Sequence, residues 1–323
     1  MASPNTTYDD VGALAIANRS KELHDNVSGN VAFLDKMTKK GKNRYFSGGS
    51  SITREIAYQE TGNFLRYSGF QALNTSIQQT MTRADYAIKQ TAVAVPVSGL
   101  EEMQTGSPEG FKSMLAARME VAEMTMRNNM SADLYSAGTA SGGLQIGGLQ
   151  SIASDAGTGT VGGIISGSNS FWLSSYYDFS DNSLTPGSST IRQAMLALWL
   201  KVVRGRDKPD VGVADNIYWQ YYHDSLTPHL IINGNKTADG AFAEIDFMGV
   251  PIMLDGGMGG DAPASHLYLL NTDYLEFVTH ESRDFAPLNP KRFASNQDAS
   301  VQYIAWAGNL VCSNRSLQGA LVA

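Results

Sequence analysis

Apolar residues recur at spacings of three and four between Phe111 and Leu134, which is the periodicity of an amphipathic α-helix. The tripeptide Ser-Pro-Glu at 107–109 supplies a preferred N-cap, a proline in the first turn and an acid at the positive helix end. Gly138 follows the last apolar position and favours termination. The pattern therefore predicts one helix over residues 107–138, about 45 Å long.

The segment before this helix, residues 48–98, has a different pattern. Loose alternation after Gly48 and a period of two through Val93, Val95 and Val97 predict two extended strands. A lone two-stranded arm buries too little apolar surface to be stable in water. It must therefore lie on something, and if nothing within the chain covers it, we predict that the cover is another copy of the chain. Three large aromatic residues near its tip also need a docking surface: Phe64, Tyr67 and Phe70.

The second half of the chain mixes both periodicities. Helical spacing with a cap and a terminal glycine predicts a helix over 189–204. Apolar runs and alternation predict strands elsewhere, without a regular βαβ order, which indicates an α+β fold. These strands are predicted at residues 210–214, 242–255, 265–271 and 299–312, and residues 315–322 are expected to pair with another strand.

Residues 1–47 are mostly polar, with isolated apolar positions, and this favours an arm that is pinned to a partner. Phe33 and Leu34 are the anchors that we expect to contact a neighbouring subunit. The segment ends in a basic run within a chain of net charge −7. Such a run is usually a solvated loop, but it can also meet an acidic neighbour or a polyanion. The residues assigned to that contact are Lys39, Lys40, Lys42 and Arg44.

Composition narrows the class of protein. Charged residues make up 17% of the chain, below the usual value of about 25%, and a charge-poor surface suits extensive protein–protein contact. The single cysteine excludes an internal disulfide framework. No apolar run approaches the roughly 18 residues of a membrane span. The first residues do not resemble a secretory signal, so we expect synthesis in the cytoplasm and no membrane partner.

Candidate chemistry is sparse. The segment 157–163 contains G-x-G-x-x-G, but a dinucleotide site needs this motif between a strand and a helix, and the flanks here favour a loop. The histidines lack zinc spacing, and Cys312 lies in a predicted strand, where burial makes it inert. We therefore predict no catalytic residue, no metal site and no cofactor. A soluble enzyme with a Gly-rich loop stays open as an alternative. The aromatic cluster at 171–177 favours an interface.

The order of these parts resembles the major capsid proteins of tailed bacteriophages, whose HK97-like fold is shared with encapsulin shells. The resemblance covers the whole chain, and it is carried by the 48–98 arm, SPEGFKSMLAARMEVAEMTM, Gly147-Gly148-Leu149, SYYDFSDNSLTPGSSTIRQAM, FMGVPI and YIAWAGNLVCSNRSLQGALV. It implies an α+β HK97-like capsid fold in five segments. These are an N-terminal arm (1–47), an extended loop (48–98), a peripheral domain with the spine helix (99–139), an axial domain (140–244), and a peripheral sheet with the C-terminus (245–323).

The resemblance also implies a structural, non-enzymatic function. Subunits would form hexamers and pentamers that tile an icosahedral head around double-stranded DNA, with each extended loop over the neighbouring subunit. The implied partners are other copies of the chain, a scaffold, a portal, a decoration protein and DNA, bound non-specifically, and the implied location is the virion. An encapsulin-like compartment is the alternative within the same fold.

Some of these relatives crosslink a loop lysine to an asparagine of a neighbour, with a glutamate as catalyst. Lys89 and Glu55 occupy the loop here, and the resemblance places Glu55 opposite Lys89. Because the geometry for this reaction cannot be read from a sequence, no crosslink is predicted. The residues predicted at contacts between subunits are Phe33, Leu34, Ile52, Glu55, Phe64, Tyr67, Phe70 and Lys89.

Overall fold

A computed structural model of the chain describes residues 32–104, 108–226, 244–256, 260–293 and 298–323. The N-terminal 31 residues of the predicted arm therefore lie outside the described residues. Among the described helices, none is long and apolar enough to span a bilayer. The helices are α1 (Ala32–Lys39), α2 (Gly99–Gln104), α3 (Pro108–Leu134), α4 (Ala140–Gly143), α5 (Leu149–Ile152), α6 (Ile191–Val202) and α7 (Asn216–Leu226), with 3-10 turns at Ser170–Trp172 and Thr272–Tyr274.

The strands of the described residues form two larger sheets and two hairpins. Three strands were not predicted from alternation, because they are short or rich in polar residues and their pattern is weak. They lie at residues 43–46, 275–280 and 286–293. The strands are β1 (Asn43–Phe46), β2 (Ser51–Ala57), β3 (Met81–Ala87), β4 (Lys89–Ser98), β5 (Thr160–Val161), β6 (Ile164–Ile165), β7 (Ser175–Asp178), β8 (Val211–Ala214), β9 (Glu244–Phe247), β10 (Val250–Leu254), β11 (Leu267–Leu270), β12 (Leu275–His280), β13 (Ala286–Phe293), β14 (Ala299–Cys312) and β15 (Gly319–Val322).

The first sheet is organised around β14, and the strand predicted at 299–312 is confirmed with the same bounds. Antiparallel β12 and β13 follow one another along one edge of β14, and β4 pairs with the other edge. Strand β1 adds in parallel to β12. The long strand therefore brings together segments from the beginning, middle and end of the chain.

The second sheet has the order β7-β15-β11-β8-β10-β9 in the described residues. Strands β8, β11 and β15 are buried at every position, which explains why their sequences are continuous apolar runs rather than alternating ones. Helices α6 and α7 pack on this sheet, and α6 confirms the helix predicted at 189–204. The sheet takes strands from both of the predicted segments 140–244 and 245–323, and the proposed division between them stays a prediction.

The predicted spine helix is confirmed as α3. Its buried face packs against β4 and β14 and contributes to the same core as the first sheet. The helix ends beside Gly148, where a side chain would overlap the carbonyl groups of Asp133 and Leu134. The glycine therefore allows the chain that follows to cross the end of the helix closely. The buried side chains of α3 are Met114, Ala117, Ala122, Met126, Met130, Ser131 and Leu134.

The prediction that residues 48–98 lack cover within their own chain is wrong for the strands. Strand β4 pairs with β14 along its whole length. Strands β2 and β3 pair with each other, and their inward side chains join the core. A period of two shows that one face is covered, but it does not show which segment covers it, and here the last third of the chain does.

The Gly-rich motif forms a β-hairpin of β5 and β6 and is followed by a turn, so the strand–helix context of a dinucleotide motif is not present at this segment. Gly162 and Gly163 both have positive φ values, 58° and 75°, as a tight two-residue hairpin turn requires. A side chain on Gly162 would meet Ala84 and Tyr86 of β3. The hairpin therefore supports the base of the β2–β3 arm.

Candidate assembly interface

The β2–β3 arm is held at its base by polar contacts to the first sheet. Arg54 of β2 donates to Glu276 of β12 from Nε at 3.0 Å and from Nη2 at 2.5 Å. The Tyr86 hydroxyl donates to the Cys312 carbonyl at 2.7 Å, and burial raises the pKa of this phenol. Both contacts link the arm to the sheet and limit the directions in which the arm can point.

Beyond the strands, the chain forms a loop tip, defined as residues 60–78, without helix or strand. Hydrogen bonds from Asn63 Nδ2 to the Ser76 carbonyl and from Gly62 N to Gln78 Oε1 hold its two sides together. Its large apolar side chains nevertheless face solvent, and several exposed apolar side chains within one short segment favour an interaction site. The exposed fractions are Phe64 75%, Leu65 41%, Tyr67 64%, Phe70 110%, Leu73 55% and Ile77 99%.

Three of the predicted inter-subunit residues are instead buried in their own chain. Phe33 is 0% exposed, Leu34 7% and Ile52 5%, and all three belong to the core cluster of the first sheet. Phe33 packs on the Tyr135 ring, with the centroids 6.0 Å apart. The expected contact with a neighbouring subunit is therefore replaced by an intramolecular one, because α1 folds back onto the end of the spine helix.

Glu55 and Lys89 are not brought together. In the β2–β3 ladder Glu55 lies opposite Arg83, and Ala87 pairs with Ser51, so the expected placement of Glu55 opposite Lys89 is wrong. Lys89 Nζ donates to the Gly143 carbonyl, whereas Glu55 is exposed on the arm. Nothing in this arrangement supports a lysine crosslink within one subunit. Their predicted contact with a second subunit stays a prediction.

The basic run meets acidic groups, but these belong to its own chain. Lys40 Nζ lies 2.5 Å from Asp210 Oδ2, and Lys42 Nζ lies 2.7 Å from Asp273 Oδ1. The third pair, Arg44 with Glu276, is longer at 3.5 Å. Lys39 is exposed at the end of α1. Because most of the charge is paired locally, the run offers less free positive charge to a polyanion than its sequence indicates.

A buried carboxyl group connects α1, the spine helix and β10. Asp255 is 0% exposed, and its Oδ2 accepts from the Tyr135 hydroxyl and from Phe33 N at 3.4 Å. Burial raises its pKa to about 6. Among the described residues, its Oδ1 atom has no hydrogen-bond partner. The group is thus a titratable link between the end of the arm and the core.

Arg315 is a second buried polar group, with 0% exposure, and it organises the segment that carries the β5–β6 hairpin. Its guanidinium donates to the carbonyl groups of Ile152 at 2.8 Å, Ser151 at 3.0 Å and Trp172 at 3.1 Å. Nearby Cys312 is buried, as predicted, and burial raises the pKa of its thiol to about 12. Trp172 is also buried, so the predicted aromatic interface does not extend to it. These buried groups stabilise the packing of this part of the fold.

No group of three acidic, histidine or cysteine side chains suited to a metal ion occurs in the described part of the chain. The most prominent feature is instead the arm with its uncovered loop tip.

Solved structures with the same arrangement of elements are known. The chain is similar to the cyanophage A-1(L) capsid subunit, with a TM-score of 0.63 at 15% identity, over 95% of this chain and 96% of that one.

The chain has the fold of tailed-phage major capsid proteins. The capsid fold is also found in the subunit of Myoviridae phage XM1, with a TM-score of 0.57 at 12% identity over 95% of this chain and 96% of that one. The SrpI encapsulin of Synechococcus elongatus PCC 7942 is similar as well, with a TM-score of 0.55 at 9% identity over 98% and 95%. These matches confirm the HK97-like α+β fold. No protein-family model and no curated protein matches the sequence.

Proposed function

We propose that the protein is the major capsid protein of a tailed bacteriophage, and that its copies form hexamers and pentamers of an icosahedral head around double-stranded DNA. The observation that carries this proposal is the uncovered loop tip on a chain with the capsid fold. Six large apolar side chains there face solvent, and a second copy is the surface that would remove them from water. They are Phe64, Leu65, Tyr67, Phe70, Leu73 and Ile77.

The proposed mechanism is the summation of many modest contacts. Each subunit contributes one arm and receives another, and closure by symmetry makes the shell more stable than any single interface. The role is structural and needs no catalytic group. Glu55 and Lys89 belong to the proposed contact surface of the arm. A scaffold, a portal, a decoration protein and DNA are proposed partners in the virion, with assembly in the host cytoplasm.

Electron microscopy of the purified chain with and without its loop tip tests the proposal. Tyr58 N donates to the Thr80 carbonyl at 3.0 Å, so this hydrogen-bonded pair can close a two-residue Asn-Gly turn that replaces the loop tip and its two flanking residues, 59–79. We expect the wild type to form rings or closed shells, and the truncated chain to stay folded but unassembled.

A matched control keeps the loop tip but changes two of its exposed polar residues, Gln71→Ala and Thr75→Ala, and should assemble like the wild type. The proposal is overturned if the wild type remains a uniform dimer or tetramer without rings, also when a candidate scaffold is co-expressed. A cooperative thermal unfolding transition of the truncated subunit would show that the truncation leaves the fold intact.

The similarity to the SrpI encapsulin supports a second candidate, a compartment that encloses a cargo protein. The two functions differ in what the particle contains. Particles from the native source that carry nuclease-protected double-stranded DNA would favour the phage head. Particles that lack nucleic acid and contain a second, enclosed protein would favour the compartment.

A further inference from the structure

A recess lies at the base of the arm, between β3 and the β5–β6 hairpin, with a cavity volume of about 400 Å³. Its lining is mixed. The apolar and aromatic residues are Tyr58, Met81, Ile164, Ile165 and Phe171, and the polar residues are Gln79, Thr82, Ser168 and Asn169. The Tyr58 and Phe171 rings pack together with their centroids 5.3 Å apart. Met81 and Ile165 are 74% and 56% exposed, so the recess has an apolar rim that nothing in its own described chain covers.

The recess and the loop tip have matching chemistry. None of the described residues that line the recess is charged. The loop tip carries only two charged residues, Glu60 and Arg66, and the Arg66 guanidinium already lies over the Phe64 ring at 5.3 Å. Placing one surface on the other therefore removes apolar area from water, and the recess brings no charged group into the contact.

The loop tip does not occupy the recess of its own subunit. The described residues that line the recess include Tyr58 and Gln79, which flank the tip, but none of residues 60–78. Phe70 and Ile77 are 110% and 99% exposed. The part of the chain best suited to the recess is thus held outside it, and an identical tip can enter only from another copy.

We propose that the recess formed by β3 and the β5–β6 hairpin receives the loop tip of a second copy of this chain, and that Phe70 is the residue seated in it. This inference rests on the proposed function and names the surface on which the arm docks. The contact is heterologous, because the tip and the recess are different surfaces. Repetition of such a contact gives a closed ring where the rotation between copies permits it.

A complementation experiment tests the contact. The recess variant carries Ile165→Arg, and the tip variant carries Phe64→Ser, Tyr67→Ser and Phe70→Ser. Each variant alone should form no rings. The mixture should give a one-to-one dimer, because the intact tip of the recess variant binds the intact recess of the tip variant. The dimer should not grow, because its two remaining surfaces are the defective ones. The matched control is Leu100→Arg, because Leu100 is 57% exposed and lies outside the recess.

A disulfide trap tests the same contact directly. The native cysteine is buried in β14, so a chain with Phe70→Cys and Ile165→Cys carries two accessible thiols. Oxidised glutathione should join residue 70 of one copy to residue 165 of the next, because a disulfide requires Cα atoms within about 7 Å. A ladder of crosslinked rings on a non-reducing gel is expected. The two single-cysteine chains, when mixed, should give only dimers.

The outcomes separate this inference from the proposed function. The recess is overturned if the Ile165→Arg variant forms the same shells as the wild type and the double-cysteine chain gives no ladder. The proposed capsid function would not be affected by that result. Equal loss of assembly in Ile165→Arg and Leu100→Arg, without a dimer in the mixture, would also overturn the recess. A wild type that forms no rings at all contradicts the proposed function itself.

Discussion

At the scale of single residues, Asp255 is the group whose ionisation is most tightly coupled to the fold. It is buried where α1, the spine helix and β10 meet, and burial raises its pKa to about 6. Two other titratable groups act on the same site, Asp261 and Tyr135, and burial raises the pKa of each. The folded chain therefore holds a proton on Asp255 at a pH where an unfolded chain has released it.

This pKa predicts how stability depends on pH. Because the folded-state pKa is raised, the protonated carboxyl stabilises the fold at low pH, and this contribution is lost as the pH rises through about 6. Between pH 4.5 and 7, we expect Asp255 to change the free energy of unfolding by about 2 kcal/mol in favour of the lower pH. Urea unfolding of the tip-truncated subunit, with and without Asp255→Asn, measures this difference.

A partly exposed carboxyl provides the contrast. Hydrogen bonds from Arg204 and Tyr274 lower the pKa of Asp207 below its usual value, so its ionised form stabilises the fold and this contribution is lost only at acid pH. Asp207→Asn should therefore leave the slope between pH 4.5 and 7 unchanged. If Asp255→Asn leaves the slope between pH 4.5 and 7 unchanged, the buried carboxyl is not the group that couples pH to the fold.

At the scale of elements, the close passage at the end of the spine helix predicts a specific sensitivity. Gly148→Ala would place a methyl group against the carbonyl groups of Asp133 and Leu134, and backbone cannot move aside as a flexible side chain can. We expect a loss of about 1–3 kcal/mol in the free energy of unfolding, as for other overpacked sites. Denaturant unfolding of the unassembled subunit measures it.

Gly167→Ala is the matched control, since a side chain at Gly167 meets nothing within 4 Å. Its unfolding midpoint should lie at the same denaturant concentration as that of the wild type or at a slightly higher one, because alanine reduces the conformational freedom of the unfolded chain. Equal destabilisation by both substitutions would show that the cost comes from losing glycine in general rather than from the helix end.

At the scale of the whole molecule, charge opposes assembly and apolar contact favours it. Each copy carries a net charge of −7, so identical copies would repel one another in the proposed shell. The loop tip and the recess contain almost no charge. Salt should therefore weaken the repulsion and leave the attraction largely intact.

Raising the salt concentration from about 0.1 M to about 1 M shortens the Debye length from about 10 Å to about 3 Å. We expect assembled rings or shells to persist, and the protein concentration needed for assembly to fall. Light scattering across a protein dilution series at each salt concentration measures that threshold. Dissolution of the assemblies by salt would show that ion pairs between subunits, rather than apolar contacts, hold them together.

The amino-acid sequence was sufficient to predict the elements with strong local patterns. The spine helix, β14 and the buried strands around β8 and β11 could be predicted because their periodicity or apolar run lies within one segment. The burial of Cys312 followed from its place in such a strand. The order and lengths of these parts also sufficed to predict the capsid fold.

Which segments cover one another became clear from the folded chain alone. Phe33 and Ile52 were assigned to a neighbouring copy but are buried in their own chain, and Lys40 and Lys42 pair with carboxylates more than 100 positions away in the sequence. The recess was not predicted, because its walls come from two distant hairpins and only Phe171 lay in a cluster with a recognisable signal. A local pattern indicates that a face must be covered. Which segment covers that face depends on contacts between distant parts of the chain.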